Sequence, residues 1–183
     1  MQLNRSQNPS FFSRKARRQI LDEPSLVLQS SSAAQTDGIG RMLGSIVLQM
    51  FKEGHPVYGF YLYGFVGDGK SVLLKGMVNS FEDGEGFKGW RRHDHYPKST
   101  ETYPSALHRD IWRASMMNSL RPAIPKDDEV LFVEWADLLP YDWMERDRIM
   151  IEFRQNEAEA RTISFLGFGN GASAVQMLKE KAQ

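Results

Sequence analysis

Gly64, Gly69, Lys70 and Ser71 fall at the spacing G-x-x-x-x-G-K-[ST] within "YLYGFVGDGKSVLLKG", residues 61–76. A chain that wraps a phosphate group needs several backbone N–H groups aimed inward, and only residues lacking a Cβ let it curl that tightly. Gly64, Gly67 and Gly69 supply the curl. The helix expected after the loop adds unpaired N–H groups and the positive end of its dipole. Lys70 is then placed to bridge the β and γ groups of a triphosphate, and Ser71 to offer its hydroxyl to a magnesium ion. The loop residues read as contacting the nucleotide are Gly64, Gly67, Asp68, Gly69, Lys70, Ser71 and Val72.

A magnesium nucleotide also needs a carboxylate at a neighbouring strand end, held to the ion directly or through water. "VLFVE", residues 130–134, is an apolar run that ends in Glu134, the pattern of a buried strand delivering an acid to the crevice where α/β sheets bind ligands. Asp110, after "SALHR", is the second such acid, and their roles are interchangeable on sequence grounds. "HRD" at 108–110 invites comparison with the protein-kinase catalytic loop, but Ser115 stands where that loop has asparagine, and the chain has no DFG. His93 and His95 lack an assigned third ligand and read as surface histidines; Trp90, Arg91 and Arg92 read as a solvated loop rather than an RNA contact.

These groups need elements to hold them. "SLVLQ", 25–29, reads as a first strand. Ile39, Met42, Leu43, Ile46, Val47, Met50 and Phe51 line one face of a helix of about 20 residues, with Ser32 and Gln35 spaced as a capping box and Gly54 as its end. "VYGFYLYGF", 57–65, is a strand covered on both faces, and Val72, Leu73, Met77 and Phe81 mark the helix after the glycine loop. Residues 82–104 have no period and read as a long loop. There follow "SALHRDIW" as strand, "RASMMNSL" as a short helix, "EVLFVEW" as a buried strand, "DRIMIEFRQ" and "ARTISFLGF" as a hairpin, and "ASAVQMLKEKA" as a closing helix. The fold class expected is α/β, a P-loop NTPase-like three-layer sandwich whose central mixed sheet carries helices on both faces.

Lys+Arg and Asp+Glu both number 23 in 183 residues, so no global field points to a polyanion. There is no cysteine, which excludes disulfides and thiolate metal sites and fits a reducing compartment. Before Asp22 the chain carries Arg5, Arg14, Lys15, Arg17 and Arg18 and no acid. Residues 1–24 therefore read as a basic segment, either a flexible tail or an organelle transit peptide, ahead of a domain at 25–183.

In their order along the chain, "QT" at 35–36, the phosphate loop, the H-x-D-x-x-R segment His108, Asp110, Arg113, the pair Glu134 and Trp135, and "R-x-I-x-F" from Arg161 resemble the TsaE (YjeE) family over about residues 26–169. The resemblance implies a cytoplasmic, magnesium-dependent ATPase that supports threonylcarbamoyl transfer to tRNA together with TsaD and TsaB, touching tRNA only indirectly. It implies that Thr102, in "TETY", is a switch hydroxyl, that Asp110 and Glu134 with Ser71 face magnesium, and that Glu134 acts near the γ-phosphate. Thr36, Trp135 and Arg113 would lie near the nucleotide. The chain departs from the family's usual loop at Phe65, in place of aspartate, and at Asp68, in place of alanine. Two other readings remain open: a small-molecule kinase using Arg91 and Arg92 as a lid, and a nucleotide-gated scaffold that does not hydrolyse.

Overall fold

The computed structural model describes residues 20, 22–83, 90–92, 105–111, 124–125, 129–156 and 160–183. In chain order the elements are β1 (Leu26–Ser30), α1 (Ala33–Lys52), β2 (Gly59–Tyr63), α2 (Lys70–Asp83), β3 (Trp90–Arg92), β4 (Ser105–Asp110) and β5 (Glu129–Glu134). Two 3-10 turns, Ala136–Leu138 and Tyr141–Trp143, lead to β6 (Arg148–Gln155), β7 (Arg161–Phe168) and α3 (Asn170–Lys181). "RASMMNSL", expected as a short helix, lies outside the described residues.

All seven strands form one mixed sheet in the order β1-β7-β6-β2-β5-β4-β3. β2 sits at its centre, parallel to β5 and β6, while β7 runs antiparallel to β6 and to β1. The register places Glu134 beside Leu62 on one side and Asp110 on the other. The chain end of β2 and both strand-end acids therefore arrive at one edge of the sheet, the edge from which the glycine loop departs.

Alternating residues of the strands feed two apolar layers. Phe60, Leu62, Phe132, Ile149, Ile151, Phe153, Ile163 and Phe165 pack under α1, α2 and α3, with the rings of Phe60 and Phe132 stacked at 5.1 Å. On the opposite face Tyr61, Tyr63, Leu131, Val133 and Met150 meet Ala136 of the first 3-10 turn and Leu139 just after it, together with Ile20 and Ile111, both in helical conformation. Ile20 is fully buried there, so the fold draws on at least one residue before the boundary set at 25.

α1 is held at both ends by bonds that its sequence encodes. Ser32 Oγ accepts from Gln35 N at 3.1 Å, while Gln35 Oε1 reaches past the cap to accept from Ser31 N at 2.8 Å and from the Ser31 hydroxyl at 3.1 Å. At the other end Gly54, at φ 80°, lets its N–H return to Phe51 O and that of His55 to Met50 O, satisfying two carbonyls that the helix leaves open.

Backbone-to-backbone contact between α1 and α2 depends on glycines that periodicity does not reveal. A Cβ at Gly40 would collide with the Leu73 carbonyl, and one at Gly76 with the carbonyl of Asp37. This contact sets how closely α2, and with it the loop, seats against the rest of the fold. Gly76→Ala gains up to about 1 kcal/mol of helix propensity but forces the two backbones apart, a strain of about 1–3 kcal/mol that outweighs it. The expected outcome is a lower urea midpoint, with a net loss of up to about 2 kcal/mol when the full propensity gain is set against the strain; a midpoint raised by the added methyl would show that the helices separate freely.

Candidate nucleotide site

β2 ends at Tyr63 and α2 begins at Lys70, so the glycine stretch is the strand-to-helix turn. Its glycines all adopt positive φ: Gly64 at 134°, Gly67 at 88° and Gly69 at 101°. Residues with a side chain rarely adopt these angles, which is the local reason that the loop is written with glycine. Gly69 O accepts from Val72 N and Leu73 N, both at 3.1 Å, and so opens the helix. Val72 thereby lies in the first turn, whose remaining N–H groups face the loop.

Lys70 is almost wholly buried, and its ammonium donates to Gly64 O at 2.9 Å and Phe65 O at 2.7 Å. It also lies 4.3 Å from the centre of the Trp135 ring, a cation–π distance. Burial lowers the lysine pKa from its usual value, while Glu134, Asp68, Asp137 and Glu152 oppose that shift. The cation is thus held in place but incompletely compensated, a setting that an incoming phosphate improves.

Ser71 donates its hydroxyl to Glu134 Oε2 at 2.9 Å, and His108 Nε2 lies 3.0 Å from Glu134 Oε1. Burial pushes the Glu134 carboxyl up, yet the hydrogen bonds from His108 and Ser71 and the nearby charges of His108 and Lys70 prevail and hold it below the usual carboxylate value. The next residue, Trp135, has φ 61° and ψ 42°, the only positive φ outside glycine among the described residues. A left-handed tryptophan costs about 1–3 kcal/mol, and here that turn lays the ring over Lys70.

Thr36 is fully buried, with its hydroxyl 2.7 Å from Ser30 Oγ, donating to Ser32 O at 3.1 Å and accepting from Arg161 Nη1 at 3.4 Å. It meets the loop through Arg161, whose Nη1 lies 2.6 Å from where a Cβ on Gly69 would sit. Asp110 is the last residue of β4, opposite Glu134, and its side chain lies outside the described residues, as do Thr102 and Arg113 entirely. Sequence reasoning left two contacts unassigned. In the sequence His108 is only part of a motif, and the inward fold of Asp68 has no pattern that could announce it.

The donors gathered here are oxygens: the Ser71 hydroxyl and the Glu134 carboxylate. That set suits magnesium, which is commonly held by one or two protein groups plus substrate phosphates. Among the described residues no group of three or more His, Asp or Glu side chains is placed to hold a metal ion.

A parallel strand, a glycine loop, a lysine-led helix and an acid on the adjacent strand define a P-loop NTPase-like, nucleotide-binding protein. The chain belongs to the TsaE family: the model of that family, described as threonylcarbamoyl adenosine biosynthesis protein TsaE, matches residues 30–163. The fold is similar to that of a crystal structure of YdiB from Bacillus subtilis, with a TM-score of 0.59 and 17% identity, covering 86% of this chain and 96% of that one. No curated protein sequence matches. The α/β class, the mixed sheet and the resemblance read from the sequence all stand.

Proposed function

We propose that this chain binds ATP with magnesium at the loop 64–71 and hydrolyses it slowly, acting as a switch in tRNA threonylcarbamoyladenosine modification with partners of the TsaD and TsaB type. Family membership supports the pathway. The observation that carries the chemistry is the link from Ser71 Oγ to Glu134 Oε2, which joins the loop to the strand-end acid.

In this reading Lys70 and the loop N–H groups bind the phosphates, and Trp135 shields the ammonium from water on one side. Ser71 and Glu134, with Asp110, would hold magnesium, which supplies charge neutralisation at the phosphates. Glu134, kept anionic by His108 and Ser71, orients a water toward the terminal phosphorus. Phosphoryl transfer relies mainly on such positioning and charge stabilisation, and in this reading turnover is slow until a partner completes the site. Thr102 and Arg113 are assigned to switching and nucleotide contact on family likeness alone. Among the described residues no helix is long and apolar enough to cross a membrane.

Thermal unfolding and phosphate release test the reading together. ATP with magnesium at a hundredfold excess over its dissociation constant is expected to stabilise the fold by about 2.7 kcal/mol, and inorganic phosphate should accumulate slowly, faster when TsaD- and TsaB-type proteins are added. No stabilisation by ATP sinks the reading. Stabilisation with phosphate passed to a small acceptor favours a kinase, and stabilisation without any phosphate release, partners present, favours a non-hydrolysing scaffold.

A further inference from the structure

The Gly64–Phe65 peptide unit is held from both ends by buried charges of opposite sign. Its carbonyl oxygen, Gly64 O, accepts from Lys70 Nζ at 2.9 Å, and its N–H, that of Phe65, donates to Asp68 Oδ2 at 2.5 Å. Asp68 N returns to Phe65 O at 3.3 Å, so residues 65–68 make a tight turn with Gly67 at its third position, where φ 88° requires glycine. The carboxylate lies under that turn: Asp68 is 4% exposed while Phe65 and Val66 at the tip are 69% and 83% exposed. Its Oδ2 is also 2.9 Å from where a Cβ on Gly64 would sit, which shows how little room separates it from the backbone it holds.

We propose that Asp68 is a positioning residue of the phosphate loop, which clamps the Gly64–Phe65 peptide against Lys70 and so keeps the loop in its phosphate-accepting shape before a ligand arrives. This rests on the nucleotide-binding reading above. Gly64, lacking a Cβ, offers little resistance to rotation of the peptide plane. Rotation would turn Gly64 O away from the ammonium and break both bonds at once. Two charge-assisted bonds on one peptide oppose that motion more than either alone. A loop already in shape loses less conformational entropy when it closes on phosphates, so the clamp acts on affinity rather than on the chemical step.

The same geometry separates the hydrogen-bond acceptor from the charge. Asp68→Asn keeps an oxygen for Phe65 N and removes the negative charge, whereas Asp68→Ala removes both. The experiment measures ADP and ATP dissociation constants with magnesium by calorimetry, and hydrogen exchange of the Phe65 amide in the nucleotide-free protein. Losing a bond to a charged acceptor sets the expected weakening in Asp68→Ala at roughly tenfold for both nucleotides, with Phe65 amide protection falling by a similar factor. Asp68→Asn, whose neutral oxygen bonds more weakly, should keep part of the protection and bind both nucleotides more tightly than Asp68→Ala. Asp68→Val, which fills the space without an acceptor, takes the place of the alanine variant if that does not fold. Wild-type binding left unchanged by alanine or valine overturns the role of Asp68 alone, as does an asparagine variant that is as weak as alanine. Wild-type protein that binds neither nucleotide, with the amide still protected, instead overturns the function on which the role depends.

Discussion

Lys70→Ala protein is expected to bind ATP about 300-fold more weakly than the wild type in calorimetry with magnesium. The ammonium is where three contributions meet: bonds to Gly64 O and Phe65 O, the Trp135 ring at 4.3 Å, and the phosphates themselves. A hydrogen bond to a charged group contributes about 1.5–3 kcal/mol, and loss of the phosphate contacts together with the loop bonds reaches about 3–4 kcal/mol, the basis of that factor. The lysine pKa adds a sign. Burial lowers it, so the folded protein holds this proton less firmly than the unfolded chain does, and stability rises as pH climbs through the folded value toward 10.5. Below that window the charge costs stability and an incoming polyphosphate relieves the cost; within it, affinity falls as the ammonium is lost. Lys70→Met, which keeps much of the buried stem, is therefore expected to melt within about 5 °C of the wild type while losing nucleotide. ATP affinity within threefold of the wild type in either variant would remove the loop from the account.

How much of this could be read in advance follows from which interactions are local. The strand, loop and helix around Lys70 were legible because an apolar run, three glycines and a 3.6-residue period sit next to one another in the chain. α1 was legible down to its caps, since Ser32, Gln35 and Gly54 act on neighbouring backbone. Pairing was not: β1 closes against β7, more than a hundred residues later, through hydrogen bonds that any extended backbone can make. Gly40 and Gly76 look like ordinary weak points of a helix, and only the crossing of α1 over α2 gives them a purpose. The two 3-10 turns after Glu134 have no period long enough to detect. At the site, Glu134 was legible from the apolar run that carries it, whereas His108 and Ser71 became its partners only through the alignment of three elements. Thr36, placed near the nucleotide by the family likeness, is buried against Ser30, Ser32 and Arg161, contacts that join three elements and that no local pattern in the sequence announces.

Glu134→Gln should give the opposite signature to the lysine variant, with ATP bound within about fivefold of the wild-type affinity and hydrolysis slowed by at least about a hundredfold, the lower range for loss of a positioned base. The amide matches the carboxylate in shape and can still accept from Ser71 Oγ on one atom, so the loop-to-strand link survives. What disappears is the negative charge. In the wild type burial raises the carboxyl pKa, but the bonds from His108 and Ser71 and the charge of Lys70 more than reverse this, so the group is ionised throughout the neutral range and ready to orient water. The linked stability has a definite direction. A carboxyl whose folded pKa lies below its ordinary 4.5 contributes stability that is present above that value and lost as pH falls through the folded one. Glutamine has no such group, so the stability gap between wild type and variant should narrow on acidification below pH 4.5 and remain flat above it. Turnover within threefold of wild type would show that Glu134 only braces Ser71 and that the water is oriented from elsewhere. Strong loss of turnover with ATP still bound, and with the magnesium concentration for half-maximal rate unchanged, assigns the anion itself to the orientation of water, because size, packing and the Ser71 bond are common to both proteins; a raised magnesium requirement assigns it to holding the ion.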